Sequence, residues 1–172
     1  MIEEKKMIVQ IFYDYECPFC RRGYEALIEL LPKYPIIAME WKPVESHPRP
    51  EEHHPHTDLC VQSFYIAQEL GADLAKFHKL MFQGVSVERQ NVEKPELLYG
   101  IVKEIIDREK FMKLLESGKY ANKAAENNDL AYEKEGVWYV PSFRCGKLKL
   151  DAQGGMGVTK DDLKQFLDKA SN

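Results

Sequence analysis

The sequence predicts an α/β fold in which a helical segment is inserted between the two halves of a small sheet. Three observations carry this prediction. Strand and helix patterns alternate over residues 1–57, the pattern is helical throughout residues 58–131, and strand patterns return over residues 132–172 before a final helix. The predicted order is therefore β-α-β, helical insert, β-β-α, and the two flanking segments together have the size of one small domain.

The first predicted elements are a strand, a helix and a second strand joined by short turns. Residues 7–13 are β-branched and aromatic and mostly apolar at both parities, which is typical of a central strand covered on both faces. Pro18 begins a helix whose apolar residues recur with a helical period as far as Leu31, and Pro32 ends it. Residues 36–41 have the composition of the second strand.

The middle of the chain is predicted to be a loop followed by helices. Residues 42–57 contain four prolines and four histidines, which predict a loop. Apolar residues at helical spacing then predict helices that begin near Asp58, Asp73 and Pro95, with two further helical stretches before Gly136.

The last part of the chain is predicted to form a hairpin and a helix. Residues 137–145 have strand composition, and a Cys-Gly-Lys turn leads into residues 147–152, where apolar and polar residues alternate. Residues 159–162 (Thr-Lys-Asp-Asp) resemble a capping box, which predicts the start of a terminal helix.

The composition argues against several classes of partner. The chain has a net charge of −4 with charges of both signs spread along it, so nucleic-acid binding is not expected. No apolar stretch approaches the roughly 18–20 residues that cross a bilayer, so no membrane partner is expected. The first residues lack the features of a signal peptide, so we expect a cytoplasmic protein. The oligomeric state is left open by these observations.

Cys17 and Cys20 carry the candidate chemistry. Their C-x-x-C spacing at a strand-to-helix turn places Cys17 at a helix N-terminus, where unpaired backbone N–H groups and the helix dipole favour a thiolate. Cys20 lies one turn further along the same side and can attack a mixed disulfide formed at Cys17. We therefore predict Cys17 as the nucleophile and Cys20 as the resolving thiol, with no cofactor besides the disulfide they can form. Half of a zinc site is the alternative, but no second C-x-x-C or H-x-x-x-H completes it.

With these features the sequence resembles the thioredoxin superfamily, and within it the DsbA-like proteins of the FrnE type. The resemblance rests on residues 12–20 (Phe-Tyr-Asp-Tyr-Glu-Cys-Pro-Phe-Cys), on the helical insert and on Val140-Pro141 before the hairpin. It implies a thioredoxin-like domain formed by residues 1–57 and 132–172, with residues 58–131 as an inserted helical subdomain. It also implies a thiol-disulfide oxidoreductase that acts on disulfide- or thiol-containing proteins or small thiols, with glutathione as a candidate co-substrate.

The resemblance also assigns roles around the two cysteines. In such proteins the proline that matches Pro141 is cis and lies against the active-site disulfide, and the backbone of the residue that matches Val140 pairs with substrate. Pro18 and Phe19, which lie between the cysteines, are expected to support the active site. Two positions depart from the family pattern: Ile11 replaces a buried acid that assists proton transfer, and Phe19 replaces the histidine that often precedes the resolving cysteine.

Two other functions stay open at this point. A glutathione-dependent isomerase or transferase of the kappa type, like the 2-hydroxychromene-2-carboxylate isomerases, resembles this architecture but typically has a serine nucleophile. A metal-binding or redox-sensing module would use the histidines of the proline-rich loop and one thiol, namely His47, His53, His54, His56 and Cys60. Such loops rarely hold metal ligands in place, so we expect a solvated loop and no metal.

The remaining thiols and a lone histidine are assigned to the core. Cys60 lies on a predicted helix and Cys145 shares the strand parity of Pro141, so both are expected to be buried small residues. His78 lies on an apolar helix face and is expected to be a hydrogen-bonded core residue. Glu16 is expected to raise the pKa of the neighbouring Cys17.

Overall fold

The computed structural model describes residues 5–172, which form one four-stranded sheet with α-helices packed around it. The strands are β1 (Met7–Tyr13), β2 (Ile37–Pro43), β3 (Ser142–Cys145) and β4 (Leu148–Asp151). The helices are α1 (Pro18–Leu30), α2 (Asp58–Glu69), α3 (Leu74–Met81), α4 (Pro95–Val102), α5 (Arg108–Ser117), α6 (Lys123–Asn128) and α7 (Lys160–Ala170). The predicted order of elements is confirmed. Within the described residues no helix is both long enough and apolar enough to cross a membrane.

The sheet has the strand order β2-β1-β3-β4, so β1 is a central strand. It pairs in parallel with β2 and antiparallel with β3, and Ile11 lies opposite Trp41 on one side and Phe143 on the other. The consecutive residues Ile11, Phe12 and Tyr13 are all buried. Both faces of β1 are therefore covered, as its apolar pattern predicts.

The predicted strand over residues 137–145 is wrong in its first half, because β3 begins only at Ser142. Pro141 has no N–H to donate to the ladder with β1, which limits the pairing to the residues after it. Trp138 and Tyr139 are exposed instead of lying in the sheet. The segment before β3 is therefore a loop that ends at a proline.

The ends of the other elements agree closely with the sequence pattern, with two irregular helical turns added. Helix α3 continues into a π-helical turn, Phe82–Val87, and α6 continues into another, Asp129–Lys134. At the start of α7 the hydroxyl of Thr159 accepts a hydrogen bond from the backbone N–H of Asp162 at 3.1 Å, as the capping pattern predicts.

The helical insert shares its core with the sheet. Tyr13 and Tyr15, at and just after the end of β1, pack against His78 and Phe82 from α3 and the turn that follows it. His78 is buried and its Nδ1 lies 3.0 Å from the hydroxyl oxygen of Tyr15, which confirms it as a hydrogen-bonded core residue. Burial lowers the pKa of His78 to about 3, so its ring is neutral near neutral pH. The division of the chain at residues 58 and 131 into domain and subdomain stays a prediction.

Candidate active site

The turn after β1 places the Cys17 thiol at the N-terminal end of α1. Cys17 is the N-cap residue, and Pro18 occupies the first helical position, where its missing N–H leaves no hydrogen bond unmade. The backbone N–H of Cys20 donates to Sγ of Cys17 across 3.3 Å. A thiolate on Cys17 would therefore be held by a backbone donor as well as by the helix dipole.

The two motif thiols have opposite pKa shifts. The pKa of Cys17 is lowered, first because the thiol of Cys20 donates a hydrogen bond to it, and further by the backbone N–H groups of Cys20 and Phe19. Burial raises the pKa of Cys20 well above the ordinary thiol value, and the interaction with Cys17 adds to the effect. The arrangement favours an ionised, partly exposed sulfur on Cys17 beside a protonated, buried thiol on Cys20.

Asp14 is a buried carboxylate beside the two cysteines that the sequence analysis missed. Its backbone N–H lies 3.5 Å from Sγ of Cys20, and its carboxylate accepts backbone N–H groups of Ser46 at 2.7 Å and Glu16 at 3.1 Å. Burial raises the pKa of Asp14, and its charge raises the pKa values of both Cys17 and Cys20. The structure identifies Asp14 as a carboxylate with this effect on Cys17, where the sequence analysis pointed to Glu16.

The loop before β3 lies against Cys17. The Val140–Pro141 peptide bond is cis, and the thiol of Cys17 donates to the carbonyl oxygen of Val140 across 3.8 Å. Gly23 of α1 allows this approach, because a Cβ at that position would lie only 2.9 Å from Cγ of Pro141. The structure therefore brings Val140 to Cys17 and Pro141 to Gly23 of the same helix, across more than a hundred residues of sequence.

A pocket of about 590 Å³ opens beside Cys17. The predicted site residues that line it are Cys17, Pro18, Phe19 and Val140. Cys20 lies behind Cys17 in the core. Trp138 and Tyr139, which the sequence analysis assigned to a strand, also line the pocket and are 87% and 56% exposed. Their position just before Val140 was the available signal that they belong to the site.

The charged residues after the motif contact side chains other than Cys17. Arg21 forms an ion pair with Glu25 at 2.9 Å, and the guanidinium of Arg22 lies 4.9 Å from the centroid of the Phe19 ring. Ile11, where a buried acid is common in the family, is fully buried in β1. The carboxyl group that the structure places beside the dithiol is thus supplied by Asp14, at the end of the same strand.

The other two thiols and the loop histidines do not come together in one site. Cys60 and Cys145 are buried, as predicted, and burial raises the pKa of both. The rings of His47 and His54 stack with centroids 3.6 Å apart and line the pocket, whereas His56 pairs with a glutamate outside the loop. A single cluster of four histidines with Cys60 is therefore not formed.

Known proteins resemble this chain in sequence and in fold. The family described as thioredoxin matches residues 3–169. YwbO, an uncharacterized protein of Bacillus subtilis (strain 168), is 24% identical over 186 aligned residues, which cover 87% of this chain and 92% of that protein. A thioredoxin-like oxidoreductase from Silicibacter pomeroyi superposes with a TM-score of 0.73 at 21% identity, covering 97% of this chain and 87% of that one. A probable DsbA oxidoreductase from Streptomyces coelicolor gives a TM-score of 0.77 at 15% identity, covering 95% and 89%. These superpositions confirm the predicted thioredoxin-like fold with its helical insertion.

Proposed function

Because the chain belongs to the thioredoxin family, we propose that it is a thiol-disulfide oxidoreductase whose redox-active pair is Cys17 and Cys20. The observation that carries this proposal is the position of Cys17 at the N-cap of α1, where its partly exposed sulfur accepts the backbone N–H of the buried Cys20 at 3.3 Å. A nucleophile needs an accessible thiolate, and a resolving thiol must stay protonated and shielded until a mixed disulfide forms. Cys17 and Cys20 meet these two requirements respectively.

The proposed reaction consists of two thiol-disulfide exchanges. The Cys17 thiolate attacks one sulfur of a substrate disulfide, which breaks the S–S bond and releases the other substrate sulfur as a thiolate. Cys20 then loses its proton and attacks Sγ of Cys17, so that the second substrate sulfur leaves as a thiolate. The departing substrate thiolates accept protons from Cys20 and from water. The substrate is reduced and Cys17 and Cys20 become a disulfide, and the reverse sequence oxidises a substrate dithiol.

The proposed substrates are disulfide- or thiol-containing proteins and small thiols, with glutathione as a candidate co-substrate. The pocket volume of about 590 Å³ lies within the usual range of roughly 300–1,000 Å³ for ligand sites, which supports a peptide segment or a tripeptide thiol as occupant. Val140 offers a backbone edge beside Cys17, and the exposed rings of Trp138 and Tyr139 offer apolar contact area. Pro18, Phe19 and Pro141 are proposed as supporting residues of the same site.

We propose the cytoplasm as the place of action. The support is the position of Cys60 and Cys145, which are buried and have no disulfide partner within residues 5–172. Unpaired buried cysteines outside a redox motif are typical of proteins in a reducing compartment.

The proposal is tested by reduction of insulin disulfides with dithiothreitol as electron donor. Cys17→Ser is expected to abolish turnover, because serine cannot form a disulfide. Cys20→Ser is expected to accumulate a mixed disulfide between Cys17 and substrate, detected by mass spectrometry without reductant. Cys145→Ser serves as the control, because Cys145 lies outside the pocket, and it should retain wild-type turnover. Equal residual turnover in Cys17→Ser and Cys20→Ser would contradict a dithiol mechanism.

The direction of the reaction is tested separately by the reduction potential of the Cys17–Cys20 pair. Equilibration in glutathione buffers of defined ratio, followed by alkylation and mass analysis, measures it. Reductants and oxidants of this superfamily differ by roughly 150 mV, so the measured potential assigns the protein to one group.

A further inference from the structure

Three side chains of the proline-rich loop come together beside the active-site pocket, and two of them line it. Because β2 extends to Pro43, this loop comprises residues 44–57 in the structure. Nδ1 of His47 lies 3.3 Å from Oε2 of Glu51, and Nδ1 of His54 lies 3.2 Å from the same oxygen. All three potential ligand atoms lie within 4.8 Å of one another. His47 and His54 also line the pocket that contains Cys17. The sequence pattern is His-x-x-x-Glu-x-x-His, which the sequence analysis did not consider because it included no carboxylate.

We propose that His47, Glu51 and His54 bind a Zn²⁺ ion at the rim of the active-site pocket. Imidazole nitrogen and carboxylate oxygen are common zinc ligands, with bonds of about 2.0–2.2 Å, and at tetrahedral angles such bonds place neighbouring ligand atoms about 3.3–3.6 Å apart. The two distances from His47 and His54 to Glu51 already match this spacing. Three protein ligands leave the fourth position of a tetrahedral ion for water or for a group in the pocket.

The loop is held in place by hydrogen bonds, contrary to the expectation from its proline content. The backbone N–H of His53 donates to Oε1 of Glu51 at 2.5 Å, which leaves Oε2 turned towards the two imidazoles. Nε2 of His56 lies 2.6 Å from the carbonyl oxygen of Glu51, and the N–H of Ser46 donates to Asp14 beside the active site. Such outer contacts orient metal ligands and reduce the ordering that binding would otherwise require.

The two imidazole rings are not yet oriented as metal ligands, but they have room to turn. The rings of His47 and His54 are nearly parallel, at 8°. Because a bound ion lies in the plane of each coordinating ring, the two rings must rotate out of the stack when the ion binds. Both side chains are partly exposed, which leaves room for that rotation.

Zinc binding is tested on the full chain without a histidine tag, in a Cys17→Ser/Cys20→Ser background that removes the motif thiols as ligands. Calorimetric titration with ZnCl₂ near neutral pH is expected to give one ion per chain. His47→Asn and His54→Asn should each weaken the affinity at least tenfold, because losing a ligand costs no less than losing an outer-shell contact, for which about 10–100-fold is typical. His53→Asn is the matched control, since His53 lies in the same loop but contributes only its backbone, and it should bind as the parent does.

Two results would overturn the proposed site. One is that His47→Asn and His54→Asn bind Zn²⁺ as tightly as the His53→Asn control. The other comes from titration with Co²⁺ as a spectroscopic probe, where a thiolate-to-cobalt charge-transfer band would place the ion at Cys60 or Cys145 instead. Unchanged thermal unfolding of the apo variants shows that a loss of binding is not a loss of fold. The test does not depend on the proposed redox activity, because these measurements use a variant without the motif cysteines.

Discussion

Cys17 and Cys60 both lie at the N-terminal end of a helix, but their surroundings differ. Cys17 is the N-cap residue of α1 and Cys60 is the third residue of α2. The pKa of Cys17 is lowered, first by the hydrogen bond from the Cys20 thiol. The pKa of Cys60 is raised well above its ordinary value, first by burial and then by the charges of Asp14 and Asp58. The same end of a helix therefore accompanies two thiols with opposite tendencies to ionise.

The difference shows what a helix N-terminus needs before it activates a thiol. At Cys17 a backbone N–H reaches the sulfur at 3.3 Å and the side chain keeps contact with solvent in the pocket. Cys60 is fully buried, so ionisation would place a charge in an apolar interior beside existing carboxylates. The thiol donor on Cys20 and access to water, more than the helix terminus alone, distinguish Cys17 from Cys60.

The largest expected effect is a difference in alkylation rate. In the reduced protein near neutral pH, iodoacetamide should modify Cys17 at least about 100-fold faster than Cys60, because each pKa unit changes the thiolate fraction about tenfold and Cys60 is also shielded from reagent. Peptide mass spectrometry over a time course measures both rates in one sample. Modification of Cys60 or Cys20 before Cys17 would contradict the predicted difference in thiol reactivity.

A smaller effect is expected when the approach of α1 to Pro141 is blocked. Gly23→Ala adds a Cβ that would lie 2.9 Å from Cγ of Pro141, so helix and loop must separate. We expect a loss of about 1–3 kcal/mol in the free energy of unfolding, typical of overpacking, together with slower alkylation of Cys17. Urea unfolding of the reduced protein measures the first and mass spectrometry the second.

Gly100→Ala is the matched control for this change. Gly100 lies within α4, and a Cβ there would meet no atom within 4 Å. The substitution should leave Cys17 alkylation unchanged and stabilise the protein by up to about 1 kcal/mol, since alanine favours the helix. If Gly23→Ala behaves like Gly100→Ala, the contact with Pro141 does not position Cys17.

The next prediction compares how two serine substitutions affect the free energy of unfolding and the turnover of insulin disulfides. Cys60→Ser places a hydroxyl in a fully buried position and should lower the free energy of unfolding by about 1–2 kcal/mol. Cys17→Ser changes a partly exposed residue and should alter it by less than about 0.5 kcal/mol. Chemical denaturation gives both values, and the insulin assay should show the reverse order, with Cys60→Ser active. A Cys60→Ser variant that folds normally but loses turnover would show that Cys60 takes part in the chemistry.

The reactive turn could be predicted because its determinants are close in sequence. The C-x-x-C spacing, Pro18 and the apolar period of α1 lie within one helix, so local rules located Cys17 at its start. The burial of Cys60, Cys145 and His78 followed from their apolar faces in the same way.

Contacts between distant segments were missed because local patterns do not encode them. Asp14 is close to the thiols in sequence, but its carboxylate is also held by a distant segment, since the backbone N–H of Ser46, 32 residues away, donates to it. Glu51 joins two histidines because the loop turns back on itself, and the start of β3 depends on its pairing with β1. These features depend on tertiary packing, which a local sequence pattern does not encode.

The last expected effect is a dependence of stability on pH whose sign differs between the two thiols. For Cys60 the folded pKa is raised, so its contribution to stability is complete below the unfolded thiol pKa of about 8.5 and is lost as the pH rises above it. The free energy of unfolding of the reduced wild type relative to Cys60→Ala should therefore fall above about pH 8.5, by up to about 1.4 kcal/mol per pH unit. Urea denaturation across the alkaline range measures this difference.

For Cys17 the folded pKa is lowered, so its contribution is complete above the unfolded pKa of about 8.5 and is lost as the pH falls through the folded pKa. The free energy of unfolding of the reduced wild type relative to Cys17→Ser should therefore rise with pH until about pH 8.5. Below that pH the Cys20 and Cys60 thiols are mostly protonated in the unfolded chain, and their raised pKa values keep them protonated in the folded chain. The rise in the free energy of unfolding is therefore due to Cys17. A flat difference over this range would mean that α1 does not stabilise the thiolate, and the contrast between the two helix ends would then be one of burial alone.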